Sequence, residues 1–112
     1  DKLILGGFSQ GSMLALDVVL RSQRPLAGLV LMSCTFLTPT QWPALMQARE
    51  GLPVLQSHGQ QDPLLPYALA EKLRNSMVGA GMPVTWVPFA GGHGIAPIVL
   101  DALSDFIQLN VG

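Results

Sequence analysis

The sequence predicts an α/β fold: about four mainly parallel strands in an open sheet, with helices on both faces. Three observations lead there. Apolar runs of strand length recur along the 112 residues, at Leu3–Leu5, Leu26–Met32, Val54–Gln56 with its flanks, and Val84–Pro88. None alternates strictly between apolar and polar residues, which is the pattern of strands buried on both faces. Segments of helical period separate them, and strand–helix alternation calls for right-handed βαβ crossovers.

Each helix is justified by its own spacing. Ser12–Leu20 carries Met13, Leu14, Leu16, Val18, Val19 and Leu20, with Asp17 and Arg21 as its polar marks. Pro66–Val78 places Leu69, Leu73 and Met77 at four-residue steps on one face, and Pro66 suits a first helical turn. The last segment, from about Ala96 to Leu109, offers Ile98, Val99, Ala102, Leu103, Phe106 and Ile107 to a core. A weaker segment at Thr40–Arg49 includes Trp42, Leu45 and Met46.

Composition narrows the class. Only 12% of residues are charged, against about 25% in an average soluble domain. The mean hydropathy of +0.42 would suit a membrane protein, yet no apolar run approaches the ~18 residues of a spanning helix. Six basic residues against seven acidic ones leave no electrostatic case for nucleic acid or an anionic membrane. Cys34 is the sole cysteine, which excludes an internal disulfide and leans toward a reducing, cytoplasmic compartment. Residues 1–112 read as a single domain. The chain opens on Asp1-Lys2, immediately inside an apolar run and without Met, so an excerpt of a longer protein is expected.

Open parallel sheets carry their chemistry at the carboxyl ends of their strands, so those positions matter most. After the first strand stands Gly7-Phe8-Ser9-Gln10-Gly11, a G-x-S-x-G between an apolar strand and an amphipathic helix. In that setting the serine is expected in a strained strand-to-helix turn, with flanking glycines that let the turn close. The helix N-terminus favours negative charge there, and the N–H of Gln10 is a candidate oxyanion donor. After the third strand comes His58-Gly59-Gln60-Gln61-Asp62, and after the fourth Gly91-Gly92-His93-Gly94. Each could be structural: Asp62 a helix-start aspartate, His93 a loop histidine. Together, Ser9, Asp62 and His93 occupy three strand ends in the chain order Ser, Asp, His, that of α/β-hydrolase triads.

Gly6-Gly7-Phe8-Ser9-Gln10-Gly11, His58-Gly59-x-x-Asp62 and Gly92-His93-Gly94-Ile95 resemble the phospholipase/carboxylesterase family, relatives of acyl-protein thioesterases. The resemblance spans essentially the whole chain and matches the C-terminal half of a family member. It implies an α/β-hydrolase fold and hydrolysis of carboxylic esters or thioesters of small to medium acyl chains. Ser9 would be the nucleophile, His93 the general base and acid, and Asp62 the orienting carboxylate. It also implies upstream strands and a His-Gly-type loop supplying a second oxyanion donor. Pairing with such an N-terminal half, or with another copy, is therefore expected. Ser12 and Cys34 depart from the family pattern, the first standing where another Gly is frequent.

The mechanism calls for no metal or organic cofactor. Phe8, Trp42 and Leu65 are candidate substrate-binding residues, with core packing as the alternative for Trp42. His58 reads as a locally bonded strand-end histidine and Cys34 as a small core residue, since no elbow motif surrounds that thiol. Two other functions are compatible with some of these residues: an inactive hydrolase-like interaction module, and a metal site of His58, Asp62 and His93. The latter lacks a recognised spacing such as H-E-x-x-H.

Overall fold

The computed structural model describes residues 3–36 and 41–111. Its elements are β1 (Ile4–Phe8), α1 (Gln10–Arg21), β2 (Gly28–Met32), α2 (Trp42–Met46) running into a 3₁₀ turn (Gln47–Arg49), β3 (Val54–Gly59), α3 (Tyr67–Gly79), β4 (Val84–Phe89) and α4 (Pro97–Asn110). The four strands pair in parallel in the order β1-β2-β3-β4. Because successive right-handed crossovers advance in one direction across the sheet, α1, α2 and α3 share one face. Helix α4 packs on the other face, against β3 and β4.

The lack of alternation in β2 now has its cause. Leu29 and Leu31 join Leu16, Val19, Trp42, Met46, Val54, Leu73 and Met77 in the core beneath α1–α3. Val30, between them, joins Leu55, Val87, Val99 and Phe106 beneath α4. A central strand with apolar cover on both sides has no polar face to show.

The boundaries move where pairing overrides local preference. The first strand runs on through Gly6 and Gly7, since Gly6 pairs with Val30 and Gly7 with Leu31. Glycine is a poor strand former, but here ladder hydrogen bonds and the close approach of Val30 prevail. β3 likewise extends through His58 and Gly59, which pair with Pro88 and Phe89. Pro88 is tolerated because β4 is an edge strand, where a missing N–H breaks no ladder. The weak Thr40–Arg49 segment becomes one short helix and a 3₁₀ turn, with Thr40 itself outside the described residues.

The 3₁₀ turn is fastened to α1 by Arg49. Its guanidinium donates from Nε to the Val19 carbonyl at 2.9 Å, and from its two terminal nitrogens to the Arg24 and Ser22 carbonyls. Carbonyls at and beyond a helix C-terminus lack helical partners, and a cation there also meets the negative end of the dipole. Helix α1, which starts at the G-x-S-x-G turn, is thus held at its far end by a side chain 28 residues beyond its last residue. Arg49 would be hard to assign from sequence, because a lone arginine carries no periodicity.

Candidate active site

Ser9 lies between β1 and α1 with φ 56° and ψ −120°, a left-handed backbone that non-glycine residues rarely adopt. Its N–H donates to the Met32 carbonyl at the end of β2, 2.8 Å away, so the sheet holds the turn in place. The two glycines of the motif do different things. A Cβ on Gly7 would lie 2.4 Å from the carbonyl carbon of Gly11, whereas a Cβ on Gly11 would meet nothing. The turn needs Gly7 for space, and Gly11 supplies the backbone that comes close. Ser12, buried in the first turn of α1, donates its hydroxyl to the Ser9 carbonyl.

The other two strand ends converge on Ser9. His93 Nε2 is 2.8 Å from Ser9 Oγ, and His93 Nδ1 is 2.7 Å from Asp62 Oδ2. A carboxylate only accepts, so Nδ1 carries the proton and Nε2 is left to accept from the Ser9 hydroxyl. The second oxygen of Asp62 accepts from the N–H groups of Leu64 and Leu65, at 2.8 and 2.9 Å. Burial pushes the Asp62 carboxyl up, but the Leu65 N–H, the His93 ring and the Leu64 N–H together outweigh it. The group ends below its ordinary value and is ionised at neutral pH.

Two features of this arrangement escape a reading of single motifs. A Cβ on Gly59 would stand 2.1 Å from the Gly92 carbonyl oxygen and 2.5 Å from that of Gly91. Only glycine lets the loop that carries His93 lie against the end of β3. The same loop is tied by Gln61 N–H to the Gly91 carbonyl at 2.9 Å, and by Ser33 Oγ to the Gly94 carbonyl at 3.3 Å. Ser33 sits just after β2, the one strand end that bears no recognisable motif, and has φ 56° like Ser9. Its position, rather than its neighbours in sequence, was the available signal.

A groove of about 550 Å³ runs along α1, lined by Gln10, the residue after Ser9, with Met13, Leu14, Asp17, Thr35 and Leu65. Gln10 heads α1, where first-turn N–H groups have no helical acceptor. Of the three candidate substrate-binding residues, Leu65 lines this groove. Phe8 instead lies against His93, the two ring centroids 5.1 Å apart.

Trp42, read from the sequence as either a substrate-binding or a core residue, lies in the core. It is 0% exposed, stacks on Phe36, and donates its indole N–H to Asp17 Oδ1 at 3.0 Å. The paired N–H and the large apolar ring together draw it inward to the core. That bond, with those of Arg21, holds the Asp17 carboxyl below its ordinary value. Met13, Leu14, Asp17 and Thr35 are the groove residues with no site signal in the sequence, where Met13, Leu14 and Asp17 read only as parts of a helical pattern.

Cys34 is fully buried, and burial pushes its thiol up to about 12 against a small opposing effect of a Ser12 hydrogen bond. It stays protonated and is no nucleophile. Among the described residues, no group of three or more His, Cys, Asp or Glu side chains is arranged to hold a metal ion. No helix among them is long and apolar enough to cross a membrane.

Known proteins resemble the chain over most of its length. The family model described as Phospholipase/Carboxylesterase matches residues 1–111. The chain is 31% identical over 111 residues to acyl-protein thioesterase 1 of Neurospora crassa, covering 96% of this chain and 45% of the relative. It superposes on the crystal structure of esterase PE8 with a TM-score of 0.85 at 31% identity, over 96% of this chain and 49% of that one. The fold is also that of Zea mays acyl-protein thioesterase 2, with a TM-score of 0.83 at 20% identity, over 96% of this chain and 55% of that one. The chain spans about half the length of the relatives it matches.

Proposed function

The chain belongs to the phospholipase/carboxylesterase family of hydrolases, and from that premise we propose that it carries the Ser-His-Asp machinery of a carboxylic-ester or thioester hydrolase. The continuous relay from Ser9 Oγ through His93 to Asp62, at 2.8 and 2.7 Å, is the observation that carries this reading. Ser9 Oγ attacks the acyl carbonyl carbon while His93 Nε2 takes its proton. The carbonyl π electrons move onto oxygen, and the N–H of Gln10 stabilises that oxyanion. The intermediate collapses, His93 returns the proton to the departing alcohol or thiol, and Ser9 is left acylated. Water, deprotonated by His93, then attacks the acyl-serine and releases the acid and free Ser9. Asp62 keeps Nδ1 protonated and stabilises the imidazolium formed in each half-reaction.

The substrate class follows from the groove. Met13, Leu14 and Leu65 give apolar surface to the groove that Gln10, the residue after Ser9, also lines, suited to an uncharged small or medium acyl chain. The second oxyanion donor is proposed to come from the part of the relatives that this chain does not span. Losing one such donor costs about 10²–10³ in turnover, so the chain by itself is expected to be slow rather than inert.

Intact-mass analysis after incubation with a fluorophosphonate tests the reading. A single adduct on the wild-type chain and none on Ser9→Ala is the expected result. A folded wild-type chain that takes no adduct would overturn it, and would favour a hydrolase-like module whose triad residues do no chemistry.

A further inference from the structure

We propose that His58 is a positioning residue that holds the Asp62 carboxylate in line with His93, an inference that rests on the hydrolase reading above. His58 is fully buried at the end of β3, and the mechanism makes no use of it. Its Nε2 is 2.7 Å from the Leu65 carbonyl oxygen. A carbonyl only accepts, so Nε2 carries the proton. Nδ1 faces no hydrogen-bond partner among the described residues. Burying an imidazole with one nitrogen unpaired is costly, and the one strong bond it makes is what the site gains.

That bond completes a short circuit around Asp62. The Leu65 N–H donates to Asp62 Oδ1, while the carbonyl of the same residue accepts from His58. Leu65 is therefore gripped at both its N–H and its C=O, which fixes the turn that aims the carboxylate. His58 Nε2 also lies 3.4 Å from Asp62 Oδ2, the oxygen that receives His93. The His58 ring is itself confined by Tyr67, whose centroid is 6.2 Å away, at the start of α3. Removing the Nε2–H donor frees the Leu65 peptide. The Asp62 carboxylate can then turn away from His93 without any change in the fold of the sheet.

The donor's reach makes the idea testable. Glutamine can place an amide N–H near the position of imidazole Nε2, asparagine falls short of it, and leucine offers no donor. Rates of Ser9 labelling by a fluorophosphonate are measured across inhibitor concentration for wild type, His58→Leu, His58→Asn and His58→Gln, with folding checked by circular dichroism. The Leu and Asn variants are expected to lose about 10²-fold in the maximal labelling rate with little change in half-saturating concentration, as for a reacting group misplaced by about 1 Å. Glutamine should restore the rate to within about tenfold of wild type, a gap of about 1.4 kcal/mol. Folded Leu and Asn variants that label like wild type, or a glutamine variant as slow as leucine, would overturn the proposal.

Nitrogen NMR of the wild-type chain needs no variant. It should find the Nε2–H tautomer at His58, and the Nδ1–H tautomer there refutes the inference even if every variant fails to fold. A wild-type chain that takes no label sinks the hydrolase reading instead, and the tautomer still decides whether His58 makes the Leu65 bond.

Discussion

Replacing Asp62 with Asn separates charge from shape at the centre of the site. The amide cannot choose its orientation freely. Two backbone donors, the N–H groups of Leu64 and Leu65, already point at Oδ1 from 2.8 and 2.9 Å. Turning the amide would set its NH₂ against both, so the oxygen stays there and the NH₂ faces His93. His93 Nδ1, 2.7 Å from that position, must then accept, and its proton moves to Nε2. Nε2 in turn donates to Ser9 Oγ and can no longer take the serine's proton. Two losses add. The imidazolium of the transition state loses a carboxylate partner worth about 4 kcal/mol at about 4 Å and an effective dielectric near 20. The ring also starts in the wrong tautomer. The same substitution in a serine-protease triad costs about 10⁴ in turnover, or about 5.4 kcal/mol, and a similar fall in the rate of Ser9 labelling is expected here. Intact-mass kinetics with a fluorophosphonate, run beside Ser9→Ala, measure it. The fold should survive, because both backbone bonds to Oδ1 are kept. An Asp62→Asn chain that is folded and labels within about tenfold of wild type would refute the argument that the carboxylate readies Ser9 through His93.

Other expectations follow from the same contacts. Gly59→Ala would drive a methyl group to within 2.1 Å of the Gly92 carbonyl oxygen, so the His93 loop must retreat; a loss of about 10²-fold in Ser9 labelling is expected, and labelling at the wild-type rate would show that the two loops need not touch. Cys34, buried and with its thiol pushed up to about 12, should resist alkylation by iodoacetamide at neutral pH until denaturant is added; prompt modification of the folded chain would contradict its burial. Acid should destabilise the fold through Asp62. Its folded-state carboxyl lies below the ordinary value of about 3.9, so the unfolded chain binds the proton first and the contribution is lost as pH falls through and below that value. Urea midpoints of wild type should therefore fall more steeply below about pH 4 than those of Asp62→Asn, and parallel curves would count against the shift.

Much of this was legible without a structure, and the reason is local. Three strand ends carried motifs whose residue types are required by short-range geometry: a glycine before Ser9 where a Cβ would collide, an aspartate in the turn after β3, and a histidine among glycines after β4. Strand–helix alternation and buried apolar runs are also short-range properties, and they sufficed for a parallel sheet with helices on both faces. Contacts between residues distant in the chain were not legible. Trp42 turned inward because Asp17, 25 residues earlier, accepts its indole N–H. The strand boundaries at Gly6-Gly7 and His58-Gly59 moved because partner strands supplied hydrogen bonds that outweigh glycine's poor strand preference. Gly59, Ser33 and Arg49 each act across a gap in sequence, so no pattern around them could reveal what they touch. Sequence by itself determined which residues stand at the ends of the strands, because a side chain's place on a strand or helix follows from local period. Tertiary structure alone decided how those ends meet, since the 2.7–2.8 Å spacing of Ser9, His93 and Asp62 arises from packing three separate loops against one another.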